Sequence, residues 1–263
     1  MIPFKIKAKG VKEITGQLPT DWTEVTWKMY NRLKLSDGSL LGILYSFTEV
    51  PPSQWLLMSQ IEIEVRLFPY LQFATSFPEK YLCPEFLKIK DKFILIPRDL
   101  GKLSWAQKIA AQKIIVESKG SADVLPELLA IYIYALYRGK KLSANEDDSY
   151  FEEAKDFSKF IFDDCSIVDL LGVFVHLSNE IYRLLKRDSE NLSCKPTSEQ
   201  VRAGIDKMNK YGIMNILDPL SGGNVLNHDS LLAIEYNLIF HKLNYDNGKN
   251  KFQERYADII TKK

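Results

Sequence analysis

Apolar residues in this chain recur mostly at steps of three and four, the period of helices that bury one face. The longest such stripe is Ile167, Leu170, Leu171, Phe174, Leu177, Ile181, Leu184 and Leu185. Ser166 stands before it as an N-cap, Asp169 adds negative charge to its first turn, and Lys186 and Arg187 suit its C-terminus. Trp55, Met58, Ile61, Val65 and Phe68 repeat the pattern after Pro51-Pro52-Ser53, with Ser53 as N-cap and Pro69 ending or bending the helix. Leu125, Leu128, Leu129, Tyr132 and Leu136 repeat it again. There Ile131, Ile133 and Tyr134 make the other side apolar too, which predicts a central helix. Ser104-Trp105-Ala106-Gln107 and Thr197-Ser198-Glu199-Gln200 each fit a capping box. Thr23 or Thr26 opens a short helix carrying Trp27, Tyr30 and Leu33, which Ser36-Asp37-Gly38 breaks before the apolar segment 40–47.

Two stretches alternate instead. Phe4, Ile6 and Ala8 against Lys5 and Lys7 predict an N-terminal strand with one wet face, and Gly10 and Gly16 loosen the chain beyond it. Residues 86–90 and 93–97 about Asp91-Lys92 predict a β-hairpin. Further on, the polar residues 188–196 read as a linker. A helix then runs to about Tyr211, where Gly212 interrupts it, and Ser221-Gly222-Gly223-Asn224 reads as a loop. Asp229 starts a helix through Leu243, Tyr245-Asp246-Asn247-Gly248 turns the chain, and a last helix covers 252–260. The expected fold is mainly α: a multi-helix domain with a small β-hairpin and an N-terminal strand. Its parts are an α+β segment at 1–99, a helical core at 100–190 and a helical segment at 196–263, which can equally form one continuous domain. No repeat of solenoid period is visible.

With 35 Lys plus Arg against 34 Asp plus Glu, the chain has no global basic field, so nucleic acid is not indicated as a partner. Cys83, Cys165 and Cys194 are scattered and odd in number, which fits free thiols in a reducing compartment. No signal-peptide pattern is read at the N-terminus. The longest apolar run, 128–137, is ten residues against the roughly 20 a bilayer requires, so no membrane association is expected.

Candidate chemistry is thin. His176 and Glu180 share a helix face, which reads as an acid–base pair or half of a metal site or, more economically, as a local surface pair. His228 stands beside Asp229 at a helix start, and His241 follows Phe240; neither joins a metal-ligand spacing. The acids Glu146, Asp147, Asp148, Glu152 and Glu153 lack the EF-hand pattern and read as a solvated loop with a negatively charged helix start. Arg138-Gly139-Lys140-Lys141 suits a helix C-terminus, with Gly139 as the cap. No catalytic residue, metal ligand or cofactor site is therefore expected. Trp22, Trp27, Trp55 and Trp105 each stand near a helix start. They read either as packing anchors or as interface anchors, since Trp and Tyr dominate binding hot spots.

Three segments carry a family resemblance. Residues 18–27 (LPTDWTEVTW), 99–107 (DLGKLSWAQ) and 125–131 (LPELLAI) resemble motifs of helical virion-morphogenesis proteins of Bacteroides-infecting tailed phages, including crAss-like phages, some labelled tail assembly chaperones. The resemblance implies a structural or assembly role without a cofactor. The partners would be other phage structural proteins, a second copy of the chain among them. The locations would be the virion and, during assembly, the host cytoplasm.

Overall fold

A computed structural model of the chain describes residues 1–6, 13–58, 60–76, 78, 80–117, 119, 125–138, 148–193 and 196–261. Among them are thirteen α-helices and two antiparallel two-stranded sheets, so the mainly α class with a hairpin and an N-terminal strand holds. The chain divides into two compact units: Met1–Ile96 with Lys155–His176, and Pro97–Ala154 with Leu177–Lys263.

In the first unit, β1 (Ile2–Ile6) pairs with β2 (Ile14–Leu18), a strand the apolar pattern does not reveal. Gly16 is the reason. It faces Phe4 across the ladder, and a Cβ there would stand 2.7 Å from the Phe4 ring. The glycine that reads as a loosening residue is the seat of an aromatic side chain. Next come α1 (Trp27–Leu35), capped by Thr26, and α2 (Leu40–Thr48), capped by Ser39. The helix expected after Pro51 is cut into α3 (Pro52–Trp55), α4 (Gln60–Arg66) and α5 (Phe68–Leu71). Ser53 caps nothing, because the helix already starts at Pro52. The turn after Trp55 resets the helical phase. Ile63, Leu67 and Leu71 are buried in place of Ile61, Val65 and Phe68, which face solvent. Pro69 does not end a helix but sits in the first turn of α5, just past the break between α4 and α5, where a missing N–H breaks no bond.

The hairpin is β3 (Phe86–Ile89) and β4 (Lys92–Leu95), with the turn at Lys90-Asp91, one residue earlier than expected. Lys90 has φ 53, an uncommon conformation for a residue with a side chain. Its N–H donates to Asp164 at 2.8 Å, and its ammonium lies 3.4 Å from the Phe160 ring centre, so tertiary contacts hold the turn there. One core joins these elements, from Phe4, Leu18 and Trp22 through Leu44, Phe47 and Trp55 to Ile167.

The remaining helices are α6 (Trp105–Glu117), α7 (Leu125–Arg138), α8 (Asp148–Asp164), α9 (Ile167–Leu192), α10 (Ser198–Arg202), α11 (Met214–Leu220), α12 (His228–Leu232) and α13 (Tyr236–Thr261). α8 and α9 each contribute residues to both units. The capping boxes at Ser104/Gln107 and Thr197/Gln200 form as expected. Leu128, Tyr132, Ile133 and Tyr134 of α7 are buried on more than one side. Gly139 and the basic residues after it, Glu146, Asp147 and Cys194 lie outside the described residues.

Three boundaries in the second unit differ from expectation. α9 does not stop at Arg187 but runs through most of the supposed linker, because Asp188 is anchored by Lys108 and Tyr236. The helix from Thr197 gives way to a 3-10 segment at Gly204, which has φ 83. The helix from Asp229 breaks at residues 233–235, and α13 then continues straight through 245–248. There the Asp246 carboxylate accepts from Lys242 at 2.5 Å and the Asn247 amide donates to the Asn191 carbonyl at 2.7 Å. The side chains that read as turn formers are engaged elsewhere, and Gly248 alone costs a helix only about 1 kcal/mol.

Both units repeat one construction. Pro19, Asp21 and Trp27 recur at the same spacing as Pro97, Asp99 and Trp105, with Thr26 matched by Ser104. Each segment follows a hairpin, makes a 3-10 turn capped by its aspartate, and enters a helix at its tryptophan. In each, the helix-capping residue forms an isolated β-bridge with the residue just before a 26-residue helix: Thr26 with Ser166, and Ser104 with Glu235. The matching backbone bonds are Ile167 N–H to Val25 O at 2.7 Å and Tyr236 N–H to Leu103 O at 2.8 Å.

Candidate functional site

A groove of about 830 Å³ lies in the second unit between α6, the end of α9, α11 and the start of α13. The helix spacing on α6 aims Trp105, Ile109, Gln112 and Val116 into it; α9 adds Leu185 and Leu192, and α11 adds Ile216 beside Ile213. Most of these side chains are apolar, and Val116, Ile213 and Ile216 stay open to solvent.

One edge of the groove holds a charged cluster. Lys108 is nearly buried, and its ammonium donates to Asp188 at 3.1 Å and to Gln112 at 2.8 Å while lying 4.4 Å from the Tyr236 ring centre. The Tyr236 hydroxyl donates to the same Asp188 oxygen at 2.6 Å. Burial pushes Lys108 below its ordinary value of 10.5, and the Asp188 carboxylate pulls against that shift. Burial and the Asp188 carboxylate both push the Tyr236 phenol up. Beside them the Arg187 guanidinium stacks 3.8 Å from the Phe240 ring and donates to Asn237 at 2.9 Å. Asn237 in turn donates to Asp99 at 3.2 Å, which also accepts from Arg183 at 3.0 Å. Lys108 and Tyr236 share one Asp188 oxygen, while the other Asp188 oxygen makes no hydrogen bond and lies 3.8 Å from the Arg187 guanidinium, whose Nε and Nη2 are likewise buried without a hydrogen-bond partner.

Sequence reasoning misses this cluster because it places Asp188 in a linker. A signal was present: Lys108, Ala111 and Ile115 share one helical face, and a lysine on such a face calls for a buried partner.

The four tryptophans fall unevenly. Trp22, Trp55 and Trp105 are buried. The Trp22 indole donates to the Phe73 and Ser76 carbonyls at 3.1 and 2.7 Å, and Trp55 donates to Val50 O at 3.1 Å. All three are packed inside the chain, and Trp105 also borders the groove. Trp27 is half-buried, tilted against Tyr30 and Phe162, and keeps some surface. His176 belongs to the first unit, His228 and His241 to the second, and none of the three lines the groove. Glu180, which shares a helix face with His176, accepts from Arg183 at 2.8 and 2.9 Å. Among the described residues no group of three or more His, Cys, Asp or Glu is placed to hold a metal ion. Burial pushes the Cys165 thiol up to about 12, which keeps it protonated.

Among the described residues no helix is long and apolar enough to cross a membrane. Comparison of the chain with protein-family models, curated proteins and solved structures finds no match.

Proposed function

We propose that this protein is a bacteriophage virion structural or morphogenesis protein, a ring, tail or internal component, that works through contacts with other phage proteins. The observation that carries the reading is the groove of the second unit: mostly apolar, open, and edged by Lys108 and Tyr236 bonded to Asp188. Such a surface suits the apolar face of a partner helix. The likeness of residues 18–27, 99–107 and 125–131 to phage morphogenesis motifs supplies the biological setting. The test is mass spectrometry of purified particles of the encoding phage. The expected result is a fixed, stoichiometric copy number, lost when Val116→Asp and Ile216→Asp are combined. A second reading, a tail assembly chaperone, draws on the same open groove. It predicts absence from particles together with co-purification with an apolar tail-protein segment. Absence from both would overturn the proposal.

A further inference from the structure

α13 has two apolar sides. Tyr236, Ile239 and Phe240 are buried within the second unit. On the opposite side Leu238, Tyr245, Phe252 and Ile259 recur at every seventh residue, flanked by Tyr256 and Ile260. These six are between 55% and 67% exposed, and every described residue from 248 to 261 is exposed. Phe252 and Tyr256 stack on each other at 6.0 Å. A seven-residue recurrence is the spacing of a coiled-coil seam, because it keeps one stripe facing a partner helix along its whole length.

We propose that α13 pairs along this stripe, antiparallel, with α13 of a second copy of the chain. Area favours that occupant. The three aromatic side chains can bury roughly 150–250 Å² each and the three aliphatic ones somewhat less, so the exposed parts of the six offer at most about 700 Å² per copy. A pair then buries up to about 1,400 Å², inside the roughly 1,200–2,000 Å² of stable interfaces. Charge permits it: Lys249, Lys251 and Arg255 alternate with Glu254 and Asp258, so the flank carries no single sign that repels a copy of itself. Direction comes from Lys249, which shares the seam. A parallel pair sets Lys249 on Lys249 in a desolvated layer. An antiparallel pair sets it against Phe252, and Tyr245 against Tyr256, using the cation-on-ring contact that Arg187 already makes with Phe240.

The proposal names one partner for the protein-contact reading above and rests on it, but it is tested on the isolated full chain, so its failure leaves particle association to be judged separately. Sedimentation across a concentration series reads it. The expected result is a dimer that Phe252→Asp, and independently Tyr256→Asp, weakens by at least about tenfold with helix content unchanged. Glu254→Lys, on the far side of the seam, leaves the dimer intact. A monomer up to about 100 µM, a mass that grows past two copies, or a dimer indifferent to both aspartates would each overturn it.

Discussion

In the first unit Asp21 caps its own 3-10 turn, accepting from the Thr23 N–H at 2.7 Å and the Thr23 hydroxyl at 2.5 Å. In the second unit the matching Asp99 accepts from the Gly101 N–H at 2.9 Å and goes further, taking Asn237 and Arg183 as well. The difference traces to one position. Gly101 leaves room for the Asn237 amide, into which any Cβ would run, whereas Thr23 at the matching position is exposed and turns its hydroxyl back to Asp21. The two tryptophans differ in parallel: Trp27 is half-buried, Trp105 is buried with the groove beside it. The same turn thus serves a plain helix start in one unit and, in the other, joins a polar cluster with Asn237 and Arg183.

The largest expected contrast is at the tryptophans. Trp105→Ala removes a buried anchor and should cost about 3–5 kcal/mol, while Trp27→Ala should cost roughly half as much or less. Chemical denaturation with equal m-values checks the pair; equal losses would break the distinction between the two starts. Close behind is Asp188→Ala, which strands the Lys108 ammonium and the Tyr236 hydroxyl and should destabilise by about 3–5 kcal/mol. Adding Lys108→Met should recover much of that loss, because the stranded charge is then gone. Gly101→Ala should cost about 1–3 kcal/mol by displacing Asn237, against a few tenths for Thr23→Ala, measured the same way.

The smallest effect is on acid stability. Burial pushes the Asp99 carboxyl up, but the Gly101 N–H, Asn237 and Arg183 outweigh it and hold the group below its ordinary value of 3.8. The unfolded chain therefore takes up this proton more readily than the folded one. The stability tied to Asp99 is present above 3.8 and is lost as pH falls through the lowered folded value. Asp99→Asn should flatten that acid limb in a pH series of thermal melts, and an unchanged limb would remove Asp99 from the account.

Much of the helical layout is legible in the chain, since caps and apolar spacing are local signals. Ser104 with Gln107, Thr197 with Gln200, Ser166 and the α9 stripe all act where the local pattern places them. The failures are places where distant residues decide. Residues 188–192 are polar enough for a linker, yet Lys108 and Tyr236, far away in sequence, hold Asp188 in a helix. Ile61 and Val65 keep helical spacing, but a turn after Trp55 shifts the phase and turns them outward. β2 is hidden because its Gly16 serves the Phe4 ring. The groove shows the same limit: its walls come from α6, α9 and α11, which no stretch of sequence joins. The recurrence of Pro, Asp and Trp is visible as letters, but its meaning needs the two β-bridges.

Covalent footprinting of Val116, Ile213 and Ile216, in the free protein and in purified particles, asks most directly whether the groove of the second unit is a contact surface. Strong labelling in the free chain and protection of all three in the particle is the predicted result. Equal labelling in both states would mean that nothing covers the groove, and would contradict the proposed role.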